Sequence, residues 1–437
     1  MNSAHLYRNQ WPLIHGPIWV AALLLFLFLA NRWMPMPPQS ITISTGPLGG
    51  MYQQYGLKYA QALKTHDIDV RVVESAGTGQ NLQRLSDPKA DVQAAFVQGG
   101  YAYGESSAAL TENLETIAQI DVEPVMLLTR IKDLDSLQAL RGMRVAIGPV
   151  GSGSRMVALR MLEQVRLDPK DLILSNTSLQ ESASALRDGK LDAMIFVAPP
   201  SAPAIRTLLQ SPGIHLAALR RSSALIERMP YLDTRFISAG SLNAAANQPP
   251  QDLYVLSTVA SLVVRGDLHP MVKRVLTDAA LELHSGNGVL HRAGEFPHLK
   301  RVDFPSSPQA RDVLRNGLPW IESTLSLQWA QWAYRLLLIG LPLALVALML
   351  SRVMPAYLRW LMESNINRWY GELKYIENDL KSSQPGGLEI ARFRTRLRVI
   401  ETNVTRFEAP RSFMQRMYVL KHHVQFVKNQ LTSSYGR

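Results

Sequence analysis

The chain has 437 residues and no cysteine, which excludes disulfide bonds, thiolate metal sites and a cysteine nucleophile. A chain of this length is expected to fold as two or more domains, because a single hydrophobic core rarely grows so large. The formal net charge is +11. From Arg352 to Arg437 there are 15 Lys and Arg against 7 Asp and Glu, so most of the excess positive charge lies at the C-terminal end.

The first predicted element is a hydrophobic segment near the N-terminus. Residues 17–30 contain no charged side chain, and counted from Trp11 the stretch approaches the roughly 20 residues that span a bilayer. A cleaved signal peptide is the alternative, but Phe28 is too large for the −3 position if cleavage followed Ala30. We therefore expect residues 1–33 to be an uncleaved membrane anchor.

The region of residues 34–328 has the pattern of an α/β domain, because short apolar runs alternate with amphipathic stretches. This alternation favours a mainly parallel sheet with helices on both faces, built as two successive units of about residues 40–130 and 131–250. The predicted strands are Ser40–Ser44, Val70–Glu74, Val92–Val97, Val122–Thr129, Arg144–Ile147, Asp171–Leu174, Ala193–Val197, His215–Ala218 and Tyr254–Val264. The predicted helices are Met51–Thr65, Gln80–Leu85, Arg155–Val165, Gln180–Asp188 and Pro270–His284.

Three loops that follow strands are the candidate ligand contacts, because ligands of such folds bind outside the carboxyl ends of strands. The first loop joins a strand to a helix and contains Thr45, Gly49, Gly50, Met51 and Tyr52. Its glycines allow close backbone approach, and the N–H groups of a helix start attract an anion. A plain strand-to-helix turn is the alternative interpretation.

The second and third loops have the same strand-to-helix form. The second offers hydroxyl, glycine and amide groups, although helix capping alone explains its hydroxyls. The third resembles a phosphate loop but lacks the Gly-Lys-Ser/Thr ending, so a nucleotide site is not expected. A helix start with small hydroxyl residues suits a carboxylate, and the amide at the end of the third strand faces the same cleft. The candidate ligand contacts of the second loop, the third strand and the third loop are Ser75, Gly77, Thr78, Asn81, Gln98, Ser152, Gly153 and Ser154.

The ordered set of motifs from Gly49-Gly50-Met51-Tyr52 to Leu191-Asp192-Ala193 resembles the TAXI family, the solute-binding subunits of tripartite ATP-independent periplasmic (TRAP) transporters. The intermediate motifs are Glu74-Ser75, Asn81-Leu82, Ala90-Asp91, Phe96-Val97-Gln98, Gly151-Ser152-Gly153-Ser154 and Asp188-Gly189. Two features depart from the family pattern. Pro200 lies where a glycine-containing loop is expected, and the chain continues beyond the binding domain as in a membrane-anchored branch.

The resemblance implies a two-lobed, type II periplasmic-binding-protein fold over residues 38–325. Lobe 1 is expected at about residues 40–130 with a return segment at about 251–310, and lobe 2 at about 131–250. The family binds organic anions such as glutamate and other carboxylates. The resemblance therefore implies that the residues of the three loops, Gln98 and Pro200 contact a small organic anion.

A second hydrophobic segment, over residues 330–353, is predicted to cross the membrane. Its centre, residues 336–350, carries no charge, and Arg335 and Arg352 bracket it. Aromatic side chains precede the centre, as in the interfacial belt of membrane proteins: Trp329, Trp332 and Tyr334. A buried core helix is the alternative interpretation.

The distribution of charge predicts the topology. The positive charge after the second segment places the tail, residues 354–437, in the cytoplasm. Two spans then place the N-terminus inside as well, and residues 34–328 outside. We therefore expect a two-pass protein of the bacterial inner membrane, with its binding domain in the periplasm and both termini in the cytoplasm.

The tail has heptad spacing in three stretches, which predicts a helical hairpin and a third helix that pack together or with a partner. The predicted breaks lie at residues 382–387 and 409–410. A nucleic-acid role for the basic run at residues 392–398 is the alternative to a solvated face near anionic lipid, which we favour. His422 and His423 point to different faces of a helix and predict no metal site.

The sequence favours a non-enzymatic receptor for a small organic anion that serves separate TRAP permease subunits. A membrane-anchored sensor that acts through a cytoplasmic helical partner is the alternative, since a delivery protein does not need such a tail. A hydrolase is not expected, because the chain has no Gly-x-Ser-x-Gly elbow and no His-Glu-x-x-His motif. No cofactor, metal or nucleic acid is predicted.

Overall fold

The computed structural model describes residues 11–101, 113–220, 222–245, 247–288, 290–382, 387–407 and 413–435. They form two compact units. One comprises Met36–Ala333, and the other combines Met1–Pro35 with Tyr334–Arg437. We call the first the binding unit and the second the membrane unit.

The binding unit is built on one sheet with the strand order β2-β1-β3-β10-β4-β7-β5-β6. Strand β8 also pairs with β4, and β9 with β10. The strands are β1 Ser40–Ser44, β2 Asp69–Val73, β3 Ala94–Gln98, β4 Leu114–Thr129, β5 Arg144–Ala146, β6 Ile173–Ser175, β7 Ala193–Val197, β8 His215–Leu216, β9 Asp233–Ile237 and β10 Leu253–Arg265.

The prediction of a mainly parallel sheet is wrong, because two long strands run against their neighbours. Strand β10 is antiparallel to β3, β4 and β9, and β4 is antiparallel to β7 and β8. Parallel pairing is confined to β2-β1-β3 and to β7-β5-β6. Strands β4 and β10 therefore divide the sheet into two parallel halves, which are lobe 1 and lobe 2.

Helices cover both halves of the sheet. Lobe 2 has a hydrophobic core on each face, one around Val157 and Met161 and the other around Leu186 and Ile205. The helices of the binding unit are α2 Met51–Lys64, α3 Thr78–Ser86, α4 Gly153–Gln164, α5 Leu179–Arg187, α6 Pro203–Leu209, α7 Ser222–Arg228, α8 Pro270–His284, α9 Pro308–Asn316 and α10 Trp320–Thr324, followed by α11 Leu327–Arg335, which runs on into the membrane unit.

The predicted strands that hold continuous apolar runs occur within a few residues of their expected positions. All five residues of β3 are buried, as expected of a strand covered on both faces. The first half of β4 was missed, because Glu115, Gln119 and Asp121 interrupt its apolar run. These polar residues are accommodated within lobe 1, where Glu115, for example, accepts a hydrogen bond from Lys273 at 2.8 Å.

Among its described residues, the membrane unit contains two helices that are long and apolar enough, by length and composition, to cross a bilayer. The first is α1, Trp11–Trp33. The second begins with α11, passes through a π-helical turn at Leu336–Gly340 and continues as α12, Leu341–Ser382. The two pack closely, since a Cβ atom on Gly340 would lie 3.4 Å from the Phe26 ring. The Arg335 guanidinium also donates two hydrogen bonds to the Met34 carbonyl, at 2.7 and 2.9 Å.

The tail is helical in all three heptad stretches, as predicted. The end of α12 packs with α13, Gly387–Arg406, and α14, Met414–Tyr435. Their shared core consists of Ile366, Leu373, Ile376, Leu397, Ile400, Val404, Phe413, Met417, Leu420, Val424, Val427 and Leu431. The first expected break was at residues 382–387, where Ser382 ends α12 and Gly387 begins α13. The residues between them, and the second expected break at 409–410, lie outside the described residues.

This core predicts a contrast between two adjacent positions of α14. Leu420 is fully buried and Val419 is 53% exposed. We expect Leu420→Ala to destabilise the tail by about 2–4 kcal/mol, because it removes buried methyl groups and leaves a cavity. Hydrogen exchange of α14 should accelerate in Leu420→Ala and stay near wild type in Val419→Ala. Equal exchange in the two variants would contradict the packing.

Candidate functional site

The first predicted loop is held in place by hydrogen bonds to β2 and to the second loop and its helix. The Thr45 hydroxyl donates to the Val73 carbonyl at 3.0 Å. The Thr45 carbonyl in turn accepts from the Ser75 hydroxyl at 3.1 Å and from the Asn81 amide at 2.6 Å. Gly49 has a φ of +76°, a left-handed conformation that favours glycine. The first and second loops are therefore joined to each other.

Asn81 is engaged wholly within lobe 1. Its amide nitrogen donates to the carbonyls of Thr45 and Phe96, at 2.6 and 2.8 Å, and its oxygen accepts from the Ser44 hydroxyl at 2.7 Å. The side chain is fully buried. Asn81 thus fastens β1 and β3 to the start of α3, while its predicted contact with a ligand stays a prediction.

Tyr52 lies where several elements of lobe 1 meet. It occupies the first turn of α2, directly after Gly50 and Met51, which are both half-buried. Its hydroxyl donates to Glu123 Oε2 on β4 at 3.0 Å, and its ring centroid lies 5.6 Å from that of Phe96 on β3. Burial, and then the Glu123 carboxylate, raise the pKa of Tyr52 well above its ordinary value, so the hydroxyl remains a neutral donor.

The second and third loops face each other across the cleft between the lobes. Gly79 N–H donates to the Gly151 carbonyl at 3.1 Å, and the Gln98 amide donates to the Gly153 carbonyl at 3.3 Å. A Cβ atom on Gly77 would lie 3.5 Å from Ser152 Cα. The N-terminal turns of α3 and α4 therefore meet directly in this closed arrangement.

The remaining predicted residues lie along the same cleft. The Thr78 hydroxyl accepts from the Gln98 backbone N–H at 3.0 Å. The Ser152 hydroxyl caps α4 by accepting from Arg155 N–H at 3.2 Å, and the Ser154 hydroxyl accepts from Val197 N–H at 3.0 Å. Pro200 is buried in the turn after β7. The structure thus brings all three loops together, with Ser154 joining the third loop to the end of β7.

Glu123 is the cleft residue that the sequence interpretation missed. Its carboxyl is partly buried beside Tyr52. Burial raises its pKa to about 8, the nearby charge of Asp121 adds to that effect, and the hydrogen bond from Tyr52 opposes it. The available signal was an acidic residue at the second position of the predicted strand Val122–Thr129.

Asp121, two residues earlier on the same face of β4, is held by other groups. The Tyr55 hydroxyl donates to Asp121 Oδ2, and His291 Nε2 lies 3.2 Å from Oδ1. His284 packs edge-on against Tyr55, with ring centroids 5.0 Å apart. Burial lowers the pKa of His284 to about 4, so that ring is neutral at pH 7. Asp121 therefore belongs to the packing between α2 and β4.

Comparison with known proteins gives a family match and several similar solved structures. A sequence profile of the NMT1-like family matches residues 43–300, which is more than half of the chain. Similar solved structures include a protein from Bordetella bronchiseptica RB50, with a TM-score of 0.40 and 16% identity over 56% of this chain and 70% of that chain. Others are the periplasmic aliphatic sulphonate binding protein SsuA from Escherichia coli (TM-score 0.34, 16% identity, 56% and 73%) and the alkanesulfonate-binding protein SsuA from Xanthomonas axonopodis pv. citri bound to MOPS (0.35, 15%, 56% and 73%).

These identities are too low to transfer a ligand from one protein to another. The strand order, with two lobes joined by β4 and β10, is the type II periplasmic-binding-protein fold, as the motif resemblance implies.

The glycines of the cleft predict a variant that cannot close fully. A Cβ atom on Gly79 would lie 2.4 Å from the Tyr101 hydroxyl and 2.9 Å from the Gly151 carbonyl. We expect Gly79→Ala to separate the lobes without weakening α3, because alanine is the better helix former. The measurement is a spin-label distance between Leu48→Cys and Val150→Cys in this cysteine-free chain. Gly286→Ala, whose Cβ atom has open space, is the control, and an unchanged distance in Gly79→Ala would contradict the close approach.

The raised pKa of Glu123 predicts a pH dependence of stability. The folded chain retains a proton with a pKa of about 8 that an ordinary glutamate loses near 4.5. The stabilisation from this proton is complete below pH 4.5 and is lost as the pH rises to about 8. We expect the melting temperature of the wild type to fall relative to Glu123→Gln between pH 5 and 8. A constant difference between the two proteins would show that Glu123 titrates normally.

Proposed function

Because the chain belongs to the NMT1-like family and its binding unit has the type II periplasmic-binding-protein fold, we propose that it is a receptor for a small solute. In this proposal the two lobes close on the solute and present it to a transporter in the membrane. The observation that carries the proposal is the meeting of three strand-to-helix loops, from both lobes, in one cleft. The named binding proteins of the same fold are consistent with a non-enzymatic role.

A small organic anion is the proposed solute. The helices α2, α3 and α4 begin at loops that line the cleft, and the positive end of a helix dipole stabilises a carboxylate or similar group. Small hydroxyl side chains at Ser152 and Ser154 lie beside the start of α4. Opening of the lobes would free Gly79 N–H for a ligand, because its present acceptor belongs to the opposite lobe.

The proposed transporter is of the TRAP type. The support is the ordered set of motifs that resembles the TAXI family, from Gly49-Gly50-Met51-Tyr52 in lobe 1 to Leu191-Asp192-Ala193 in lobe 2. Two apolar helices are too few to form a transport pathway, so separate permease subunits complete the proposal.

The proposed location is the bacterial inner membrane. The two apolar helices act as anchors, and the basic tail lies in the cytoplasm. Residues 38–325 would then be the periplasmic binding domain, with both termini inside the cell. Support comes from the net charge of +8 from Arg352 to Arg437 and from the packing of α1 against the second apolar helix.

A sensor is the second candidate function, and one observation favours it. A single helix runs without interruption from Leu327 through the apolar segment to Lys381, where it joins the three-helix core of the tail. A movement of this helix along or about its axis would reach the tail directly. A helical cytoplasmic partner would then receive the signal.

The test uses the full-length chain in lipid nanodiscs and a panel of carboxylates, sulfonates, neutral amino acids and organic cations. We expect an anionic member to raise the melting temperature, since a ligand at 100 times its Kd stabilises the folded state by about 2.7 kcal/mol. Gly79→Ala should weaken the binding, and Gly286→Ala should not. Binding of organic cations alone, with no binding of any solute that carries an anionic group, would overturn the proposed anion.

Transport and sensing predict different effects of removing the tail. Deletion of residues 383–437 should leave uptake of the identified solute unchanged if the chain serves a permease. If the chain is a sensor, the same deletion should abolish the downstream response. Deletion of the entire chain should then leave uptake intact, whereas it should abolish uptake if the chain serves a permease.

A further inference from the structure

Glu123 occupies the point where β4 passes from one lobe to the other. It pairs with Thr258 of β10 in the lobe 1 half of the sheet. Two residues later, Val125 begins the pairing with β7 of lobe 2. The Ala198 N–H of lobe 2 donates to the carbonyl of Pro124, at 3.1 Å. The backbone of Glu123 therefore lies at the junction of the two lobes, where Tyr52 holds its carboxyl.

Aromatic side chains lie beside this carboxyl. The Tyr52 hydroxyl donates to Oε2 at 3.0 Å, and the Tyr52 ring lies against Phe96. Asp121 and Tyr55 are the other titratable groups that influence this part of α2 and β4. Within the described parts of the chain, no lysine or arginine forms an ion pair with Glu123.

Other shielded glutamates of the binding unit have a cationic partner. Glu115 pairs with Lys273 at 2.8 Å, Glu295 with Arg235 at 2.6 Å, and the fully buried Glu322 with Arg274 at 2.7 Å. This contrast matters because an uncompensated carboxylate in a site shielded from water is costly. The pKa of Glu123 is raised by burial, and no cationic group is among the described neighbours that influence it. A positively charged group placed beside it would lower that pKa and be bound in return.

We infer that Glu123 and the Tyr52 hydroxyl form a subsite for a cationic nitrogen of the solute. This inference rests on the proposed function and sharpens it. The solute would carry a protonated amine or amidine in addition to the anionic group that faces the helix N-termini. Asp121 does not serve this purpose, because Tyr55 and His291 already occupy its two oxygens.

The experiment compares matched pairs of organic acids that differ only in one amino group. Binding to the full-length chain in nanodiscs is measured by calorimetry at pH 7, in buffers of different ionisation enthalpy. We expect the wild type to prefer the amino member at least tenfold. We also expect close to one proton to be released on binding, because the ammonium group drives Glu123 to ionise.

Three variants assign the effect to the subsite. Glu123→Gln should reduce the preference to threefold or less and abolish the proton release, while still binding the deaminated acid. Tyr52→Phe should reduce the preference less, since it removes one hydrogen bond. Glu227→Gln, which removes an exposed carboxylate of α7, controls for net charge and should behave as the wild type.

The two proposals fail in different ways. If the deaminated acid binds as tightly as the amino member, or if Glu123→Gln keeps the preference, the inferred subsite is wrong and the anion receptor stands. If no member of the panel binds, both the anion receptor and the subsite are overturned.

Discussion

The pairing of β4 with β10 is the constraint on which the binding unit depends. Leu114–Pro124 of β4 pair with Ser257–Arg265 of β10, and each strand then continues to other partners beyond that stretch. Both lobes are therefore built on the same two strands. The paired strands thus join the lobes through a long run of backbone hydrogen bonds. The chemistry of the cleft is then decided by the few side chains that project from this shared base, among which Glu123 is the ionisable one that contacts Tyr52.

The sequence predicted the parts of this fold that depend on local patterns. Strands β3 and β7 are mainly apolar runs, β1 alternates isoleucine with hydroxyl residues, and α8 begins and ends where its amphipathic pattern does. The direction of β10 was not predictable, because an apolar run indicates burial but not the orientation of its neighbours. The polar first half of β4 was missed for a related reason. Its side chains are bonded by residues that lie far away in sequence, as in the pair of Glu115 and Lys273.

The candidate site, like the fold, was only partly predictable from the sequence. The three loops were found because glycines and small hydroxyl residues between a strand and a helix have a local signature. That signature does not show which structural role each residue of the loops has. Asn81 and Thr45 hold strands and loops together, Gly79 permits the approach of lobe 2, and Tyr52 meets a carboxyl 71 positions further along the chain. Only the folded chain shows which of these polar groups are already engaged.

The π-helical turn at Leu336–Gly340 has a consequence for the second apolar helix. Each hydrogen bond of a π turn encloses one residue more than that of an α-helix, so the segment carries an extra residue without a break. Loss of one residue there would convert the turn into ordinary α-helix. Every side chain beyond Leu341 would then be turned by about 100° around the axis relative to the preceding part. The π turn lies next to the contact between Gly340 and Phe26. At this turn the two parts of the long helix are able to rotate relative to each other around the axis while the helix stays unbroken.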